Sequence, residues 1–364
     1  MKKIGFRRCA WLQRRCRRTH EHYVRHAGQR MHAVNRIRKP ASFILLAPSF
    51  FTIQTMKKEQ GVAAREFLAF LHQIRNYSGV KLCIDLQFVL QIQATAALLF
   101  KAEICYLRSR NVQIFGVAPK KERVRQVLTQ TGICAILGLP LTAQIDREDT
   151  LHWTHASGVW TQVKPDALQA LLLATASTPL SQSLYKGMIE SVNNCIEHAY
   201  MEHPKRRSFD QKQEGWWGFQ QIREGVLTTC ICDLGIGIAR ALPIRLLSEV
   251  GVYNKVMAVA RHLKGEDVKS ILAAIEYGRS STNLLQRGKG LRDAHSVIDA
   301  AGEGLFQIFS NSGFYSYTRT SGKDNAVTFT RRLQGSISGT MYVWRYPLRS
   351  GDHPDLIPDL GASS

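Results

Sequence analysis

The stretch that most restricts this fold is an apolar run from Val226 to Cys232 that ends in Asp233-Leu234-Gly235-Ile236-Gly237-Ile238. Such a run reads as a buried strand, and two glycines just past its end let backbone approach a neighbour or a ligand closely. Asp233 stands where it can accept a hydrogen bond. A dinucleotide-binding turn needs a third glycine, and Ala239 and Arg240 do not supply one.

Upstream, Ser183–Tyr200 has a helical period. At steps of about 100° from Glu190, residues Leu184, Met188, Ile189, Val192, Cys195, Ile196 and Ala199 share one arc. Glu190, Asn193, Asn194, Glu197 and His198 share the opposite arc, with Glu190 and Asn194 one turn apart. His198 reads as a helix-end histidine satisfied by nearby backbone. The Trp216-Trp217 pair reads as core or hairpin edge. Further on, Arg287-Gly288-Lys289-Gly290-Leu291 opens a helical stretch to Ala301. Glycines opening a helix offer backbone N–H groups to an anion, and Lys289 adds a positive charge. Tyr277 to Thr282 reads as a loop carrying Arg279, Ser280, Ser281 and Thr282.

The first half alternates strand and helix. Phe43–Leu46, Phe50–Ile53, Val80–Leu86 and Val112–Val117 read as strands, with helices over Val62–Ile74, Ala94–Leu107 and Lys121–Leu128. That order predicts a small α/β domain with parallel crossovers over residues 41–140. Residues 141–175 read as a connection with some structure and a helix near Pro165–Ala176. A second domain spans 176–348, and a tail covers 349–364.

Composition matters chiefly through its distribution. The chain carries 49 Lys and Arg against 28 acids, a net charge of +21. Residues 1–40 hold thirteen of the basic residues and one acid, Glu21, so more than half of the excess sits in this leader. The leader reads as a flexible basic arm, with contact to nucleic acid as the sharper alternative. It is Arg-rich and acid-poor like a transit peptide, but no continuous apolar segment of a secretory signal follows it. No apolar run reaches the roughly 18–20 residues of a membrane span. The eight cysteines form no C-x-x-C pair and read as small buried hydrophobes in a cytoplasmic protein.

Two family resemblances follow from these motifs. The segment Lys81-Leu-Cys-Ile-Asp85-Leu86, the next helix and Val112–Val117 resemble a STAS domain, the fold of anti-sigma factor antagonists. Those antagonists carry an Asp-Ser-Ser/Thr-Gly-Leu phosphorylation site where this chain reads Ile92 to Leu98. Thr95 is the only hydroxyl there, with neither an acid nor a glycine beside it.

The order Glu-x-x-x-Asn on a helix, Asp-x-Gly-x-Gly-Ile after a strand, and Gly-x-Gly-Leu before a helix is similar to the GHKL ATPases. Its branch of anti-sigma factor serine kinases continues from the Glu-x-x-x-Asn segment into His-Ala-Tyr, here His198-Ala199-Tyr200. Gly304–Ser310 and Ser338–Pro347 match the closing strands. The resemblance implies a STAS-like α/β module followed by a Bergerat-type α/β sandwich, with helices on one face of a mixed sheet. It implies ATP and Mg²⁺ as cofactors, with Asn194 on the metal and Asp233 accepting the adenine amino group. Gly235 and Gly237 would give the base room, and Ser281, Thr282 and Thr340 would join the nucleotide contacts. Gly288, Lys289, Gly290 and Leu291 would cradle the phosphates under a mobile lid at 240–286. Glu190 would be the general base, serving an ATPase or a protein Ser/Thr kinase. No two-helix dimerisation segment with a phosphoacceptor histidine precedes residue 176, which sets histidine kinases aside. The implied partner is a protein such as a sigma factor or STAS-type regulator, and a homodimer is compatible. The alternatives are a nucleotide-gated switch with little turnover and a nucleic-acid-associated ATPase.

Overall fold

A computed structural model describes residues 43–53, 58–142, 153–159, 166, 179–203, 206–207, 214–245, 265–280, 290–323 and 325–348. The basic arm at 1–40, the tail at 349–364, and Ser281, Thr282, Gly288 and Lys289 lie outside these residues. So do most of the connection at 141–175 and of its helix near 165–176.

The first half is built on three parallel strands, β1 (Phe43–Leu46), β3 (Lys81–Asp85) and β5 (Gln113–Val117), with β3 central. Leu82, Cys83 and Ile84 are buried, as expected of a strand covered on both faces. A two-residue parallel ladder joins β2 (Phe50–Phe51) to β4 (Gln91–Ile92). The helices are α1 (Lys58–Arg75), α2 (Ala94–Ser109), α3 (Glu122–Gln130) and the short α4 (Ile133–Leu137). The first three fall where the sequence places them. The α4 segment, Ile-Cys-Ala-Ile-Leu, has no period long enough to read.

α2 is buried from Thr95 to Leu107 on every face, Cys105 alone being partly exposed. Its composition is apolar all round, which suits a helix enclosed by protein. It packs on β5 and, on its other side, on two strands of a second sheet.

That second sheet has seven strands: β6 (Trp153–Val159), β7 (Glu214–Arg223), β8 (Val226–Asp233), β9 (Gly304–Ser310), β10 (Gly313–Arg319), β11 (Val327–Arg332) and β12 (Thr340–Pro347). Their order is β11-β10-β9-β12-β8-β7-β6. All six pairings are antiparallel, so the expectation of a mixed sheet is corrected. Strand β6 also lies inside the segment read as a connection. Gly158 makes that edge possible, because a Cβ there would sit 2.5 Å from the indole nitrogen of Trp216.

Strand alternation gives this sheet two apolar faces. Trp216, Ile231, Phe306, Tyr315, Tyr342, Trp344 and Tyr346 meet the helices α5 (Pro179–Asn194), α7 (Glu266–Ser280) and α8 (Gly290–Ala301). The remaining helix, α6 (Ile238–Arg245), follows β8. Trp217, Phe219, Cys230, Phe309, Phe314, Met341 and Val343 share one core with Phe67 and Leu68 of α1 and Phe100 of α2. Helices therefore cover both faces, not one. Each of these large side chains contributes roughly 1.5–3 kcal/mol by burial, so the first half is fastened to the sheet by its core. Ser42–Ser364 forms one compact unit. Among the described residues no helix is long and apolar enough to cross a membrane.

Candidate functional site

The site is assembled at the end of β8. Asp233 is 5% exposed, and its Oδ1 accepts the backbone N–H groups of Gly235 (2.8 Å) and Thr340 (3.1 Å). Its Oδ2 takes no hydrogen bond among the described residues. Burial pushes the carboxyl up to about 6, against the pull of the two N–H groups and of Arg207. A poised acceptor thus stands at a strand end, as the sequence predicts.

The two glycines after it have packing reasons of their own. A Cβ on Gly235 would lie 2.3 Å from the Ala199 carbonyl oxygen, which accepts the Ile236 N–H at 2.8 Å. Gly237 has φ +77°, and a Cβ there would meet Asn311 Nδ2 at 2.3 Å. Asn311 Nδ2 donates to the Ile236 carbonyl, and its backbone N–H donates to the Gly339 carbonyl. Gly339 in turn passes so near β8 that a Cβ would fall 2.1 Å from the Asp233 carbonyl oxygen. The turn after β8 is closed by close backbone approach.

Helix α5 supplies the polar side. Leu184, Met188, Val192, Cys195 and Ala199 of the apolar arc are buried, whereas its Ile189 and Ile196 are half-buried, as are Glu190, Asn193, Asn194 and His198 of the polar arc, and Glu197 is exposed. The helix does not run evenly to Tyr200: Cys195–Ala199 forms a π-helical turn. That widened turn brings the Ala199 carbonyl to Ile236. Gly187 lets α5 approach α8, since a Cβ would touch Val297 Cγ2 at 3.3 Å and Trp344 Cζ2 at 3.4 Å.

The buried Tyr342 phenol hydrogen-bonds the Asn194 side chain, and burial above all, with the Asp233 charge, raises its pKa. Tyr200, the last residue of His-Ala-Tyr, donates its hydroxyl to the Gly215 carbonyl and accepts the Leu234 N–H. It fastens the start of β7 to the end of β8. His198 Nε2 lies 3.5 Å from Glu197 Oε2. Trp216 and Trp217 are fully buried on opposite faces of the sheet and serve the core.

Thr340 and Gly235 therefore meet at Asp233, with Gly237 in the same turn, while Glu190 stands one helical turn before Asn194 on α5. Gly290 and Leu291 begin α8, where the sequence places a helix start. Two expectations need correction. Tyr277 to Ser280 is the last turn of α7, not loop. The segment read as a mobile lid also contains α7, whose Val268, Ile271, Ala273 and Ile275 are buried, two of them in the core beneath the sheet. Asp267 at its start accepts the Ser312 N–H and hydroxyl. Thr95 is 7% exposed and its hydroxyl has no hydrogen-bond partner, so a phosphorylation site at Thr95 is closed to an external kinase in this conformation.

Residues that sequence reading missed here are Tyr342, Asn311, Gly339 and Arg207. Gly339 and Tyr342 lie beside Thr340 in the closing-strand segment with no motif role of their own, and Asn311 and Arg207 stand outside every motif. The six described cysteines are free thiols. No protein-family model matches this chain, and no curated protein sequence matches it significantly.

Proposed function

We propose that residues 176–348 bind Mg-ATP in the manner of the GHKL ATPases they resemble. The observation that carries this reading is Asp233: a buried carboxyl whose Oδ1 is fixed by two backbone N–H groups while Oδ2 is left for a ligand. A ligand amino group such as that of adenine suits an acceptor of this kind. Asn194 would hold Mg²⁺ through its amide oxygen, a hard donor of the type this ion prefers. Glu190, one turn before Asn194 on the same half-buried arc of α5, would offer a second oxygen donor. Gly290 and Leu291, with Gly288 and Lys289 before them, would receive the phosphates at the start of α8.

ATP supplies the transferable phosphoryl group. The chain's own part is positional. Asp233 and Thr340 would fix the base end, and Glu190 would orient a water or a substrate hydroxyl and accept its proton. On this reading the protein is a regulatory ATPase or a protein Ser/Thr kinase of the anti-sigma type. The STAS-like half would be an in-chain regulator.

Incubation with γ-labelled ATP and Mg²⁺, alone and with candidate partner proteins, tests this beside Glu190→Gln. Release of labelled phosphate that is lost in the variant supports hydrolysis, and label on a partner Ser or Thr supports kinase activity. Absence of ATP binding by the wild-type chain would sink the reading. The shared core between α1, α2 and the sheet favours a second reading, a nucleotide-gated switch in which occupancy changes the first half. Binding without either label signal would support it.

A further inference from the structure

Three charged side chains, Arg75 at the end of α1, Glu103 in α2 and Arg207, are left over from the proposed nucleotide contacts; Glu103 is buried and the two arginines are partly buried. Glu103 is 0% exposed. Its Oε1 accepts Arg75 Nε (3.0 Å), Arg75 Nη2 (2.7 Å) and Arg207 Nη2 (2.9 Å), and its Oε2 accepts Arg207 Nη1 (2.8 Å). Arg207 also lies over the Tyr106 ring, 5.0 Å from its centroid. Charge-assisted forks of this kind fix geometry strongly. A buried ion cluster is by itself weak evidence for stability, so what else these arginines hold decides its meaning.

Both arginines reach past Glu103 to one turn. Arg75 Nη1 donates to the Ser338 hydroxyl at 2.5 Å, and its Nη2 donates to the Ile337 carbonyl at 2.9 Å. Arg207 Nη2 reaches the Ser338 carbonyl at 3.4 Å. Ser338 has φ +51°, in the left-handed region that a residue with a Cβ seldom adopts. Such a conformation persists where its surroundings over-determine it. Gly339 and Thr340 follow directly, the first pressed against the Asp233 backbone and the second donating to Asp233 Oδ1. One carboxylate against two guanidiniums also leaves the cluster with a surplus positive charge, and Arg207 acts on Asp233.

We propose that Arg75, Glu103 and Arg207 are positioning residues: they lock Ser338–Thr340 and so fix the Asp233 carboxyl, coupling α1 and α2 to the base end of the nucleotide site. This rests on the reading of Asp233 as the ligand acceptor. The first half of the chain thereby regulates the site through the reverse face of the sheet, with no contact to nucleotide.

The test uses the full chain. Ser338→Ala deletes an acceptor of Arg75 and leaves every ion in place; Arg207→Gln removes a charge, and Arg207→Lys restores it. The Asp233 carboxyl is titrated by carbon-13 NMR without nucleotide, ATP binding is measured by calorimetry, and thermal melting reports folding. Besides Arg207, the groups acting on or from this carboxyl are Cys195, Tyr200, Cys232 and Tyr342, and the variants leave all of them in place. The expected result is a higher Asp233 midpoint in Ser338→Ala and Arg207→Gln, and return toward wild type in Arg207→Lys. ATP affinity should fall about three- to tenfold in Ser338→Ala, the scale of one hydrogen bond. An unchanged midpoint in folded Ser338→Ala overturns the positioning role. A shifted midpoint in a chain that binds no ATP supports the positioning and removes the nucleotide reading alone.

Discussion

Thr340 donates its backbone N–H to Asp233 Oδ1 at 3.1 Å, joining residues 107 positions apart at the meeting of β8 and β12. The bond orients a carboxyl that burial would otherwise leave costly to charge.

That cost has a measurable sign. The Asp233 pKa rises from an ordinary 3.8 to about 6 on folding, burial being the main cause. The unfolded chain loses this proton at lower pH than the folded chain does. Stability from this group is therefore full below about pH 4, falls as pH rises toward 6, and stays lower above it. At 1.36 kcal/mol per pKa unit the loss is about 3 kcal/mol. Asp233→Asn, whose amide oxygen can keep the two N–H bonds, should raise the melting temperature at pH 8 more than at pH 4. The same variant should weaken ATP binding, and calorimetry beside melting curves checks both.

Glu103 behaves in the opposite sense. Burial alone would raise its pKa, but Arg207 and Arg75 outweigh burial and hold it below its ordinary 4.5. Its contribution is present above that value and lost as pH falls through the depressed one. Glu103→Gln should cost about 3–5 kcal/mol near neutral pH, because two largely enclosed arginines remain without their counter-charge. Chemical denaturation across pH should show the deficit shrinking toward acid.

Gly235→Ala should destabilise the protein by about 1–3 kcal/mol with no nucleotide present, as an overpacked Cβ meets Ala199. Gly237→Ala should do so too, through its positive φ and Asn311. Equal melting temperatures for wild type and Gly235→Ala would count against the close approach of the π turn.

Thr95→Val should be neutral or stabilising, because it exchanges a buried hydroxyl lacking a partner for a methyl group of similar size. Melting of the purified variant checks this, and a loss of more than about 1 kcal/mol would contradict it.

Much of this was legible in the sequence, for identifiable reasons. The parallel module announced itself through apolar runs such as Lys81–Asp85 and through helical periods. The arcs of α5 followed from spacing alone. Strands β6, β7, β10 and β11 did not. β7 reads Glu-Gly-Trp-Trp-Gly-Phe-Gln-Gln-Ile-Arg, and because both its faces are covered its apolar residues do not alternate with polar ones. β11 is a short edge strand with Val327 and Phe329 exposed, so no burial pattern marks it. At the site, Asp233 and its glycines formed a local signature. Tyr342, Asn311, Gly339 and the arginines around Glu103 act through the fold, and single residues scattered over the chain carry no period.

The two-sided sheet governs how this protein can be cut. A fragment beginning after residue 140 would retain Asp233 and the turn around it and lose the cover over Trp217, Phe219, Phe309, Phe314, Met341 and Val343. Those side chains would form one broad apolar wall in water, a surface that drives association. Proteolytic trimming from the front should thus abolish solubility before it abolishes the site, and α1 and α2 belong to the smallest piece that can stand alone.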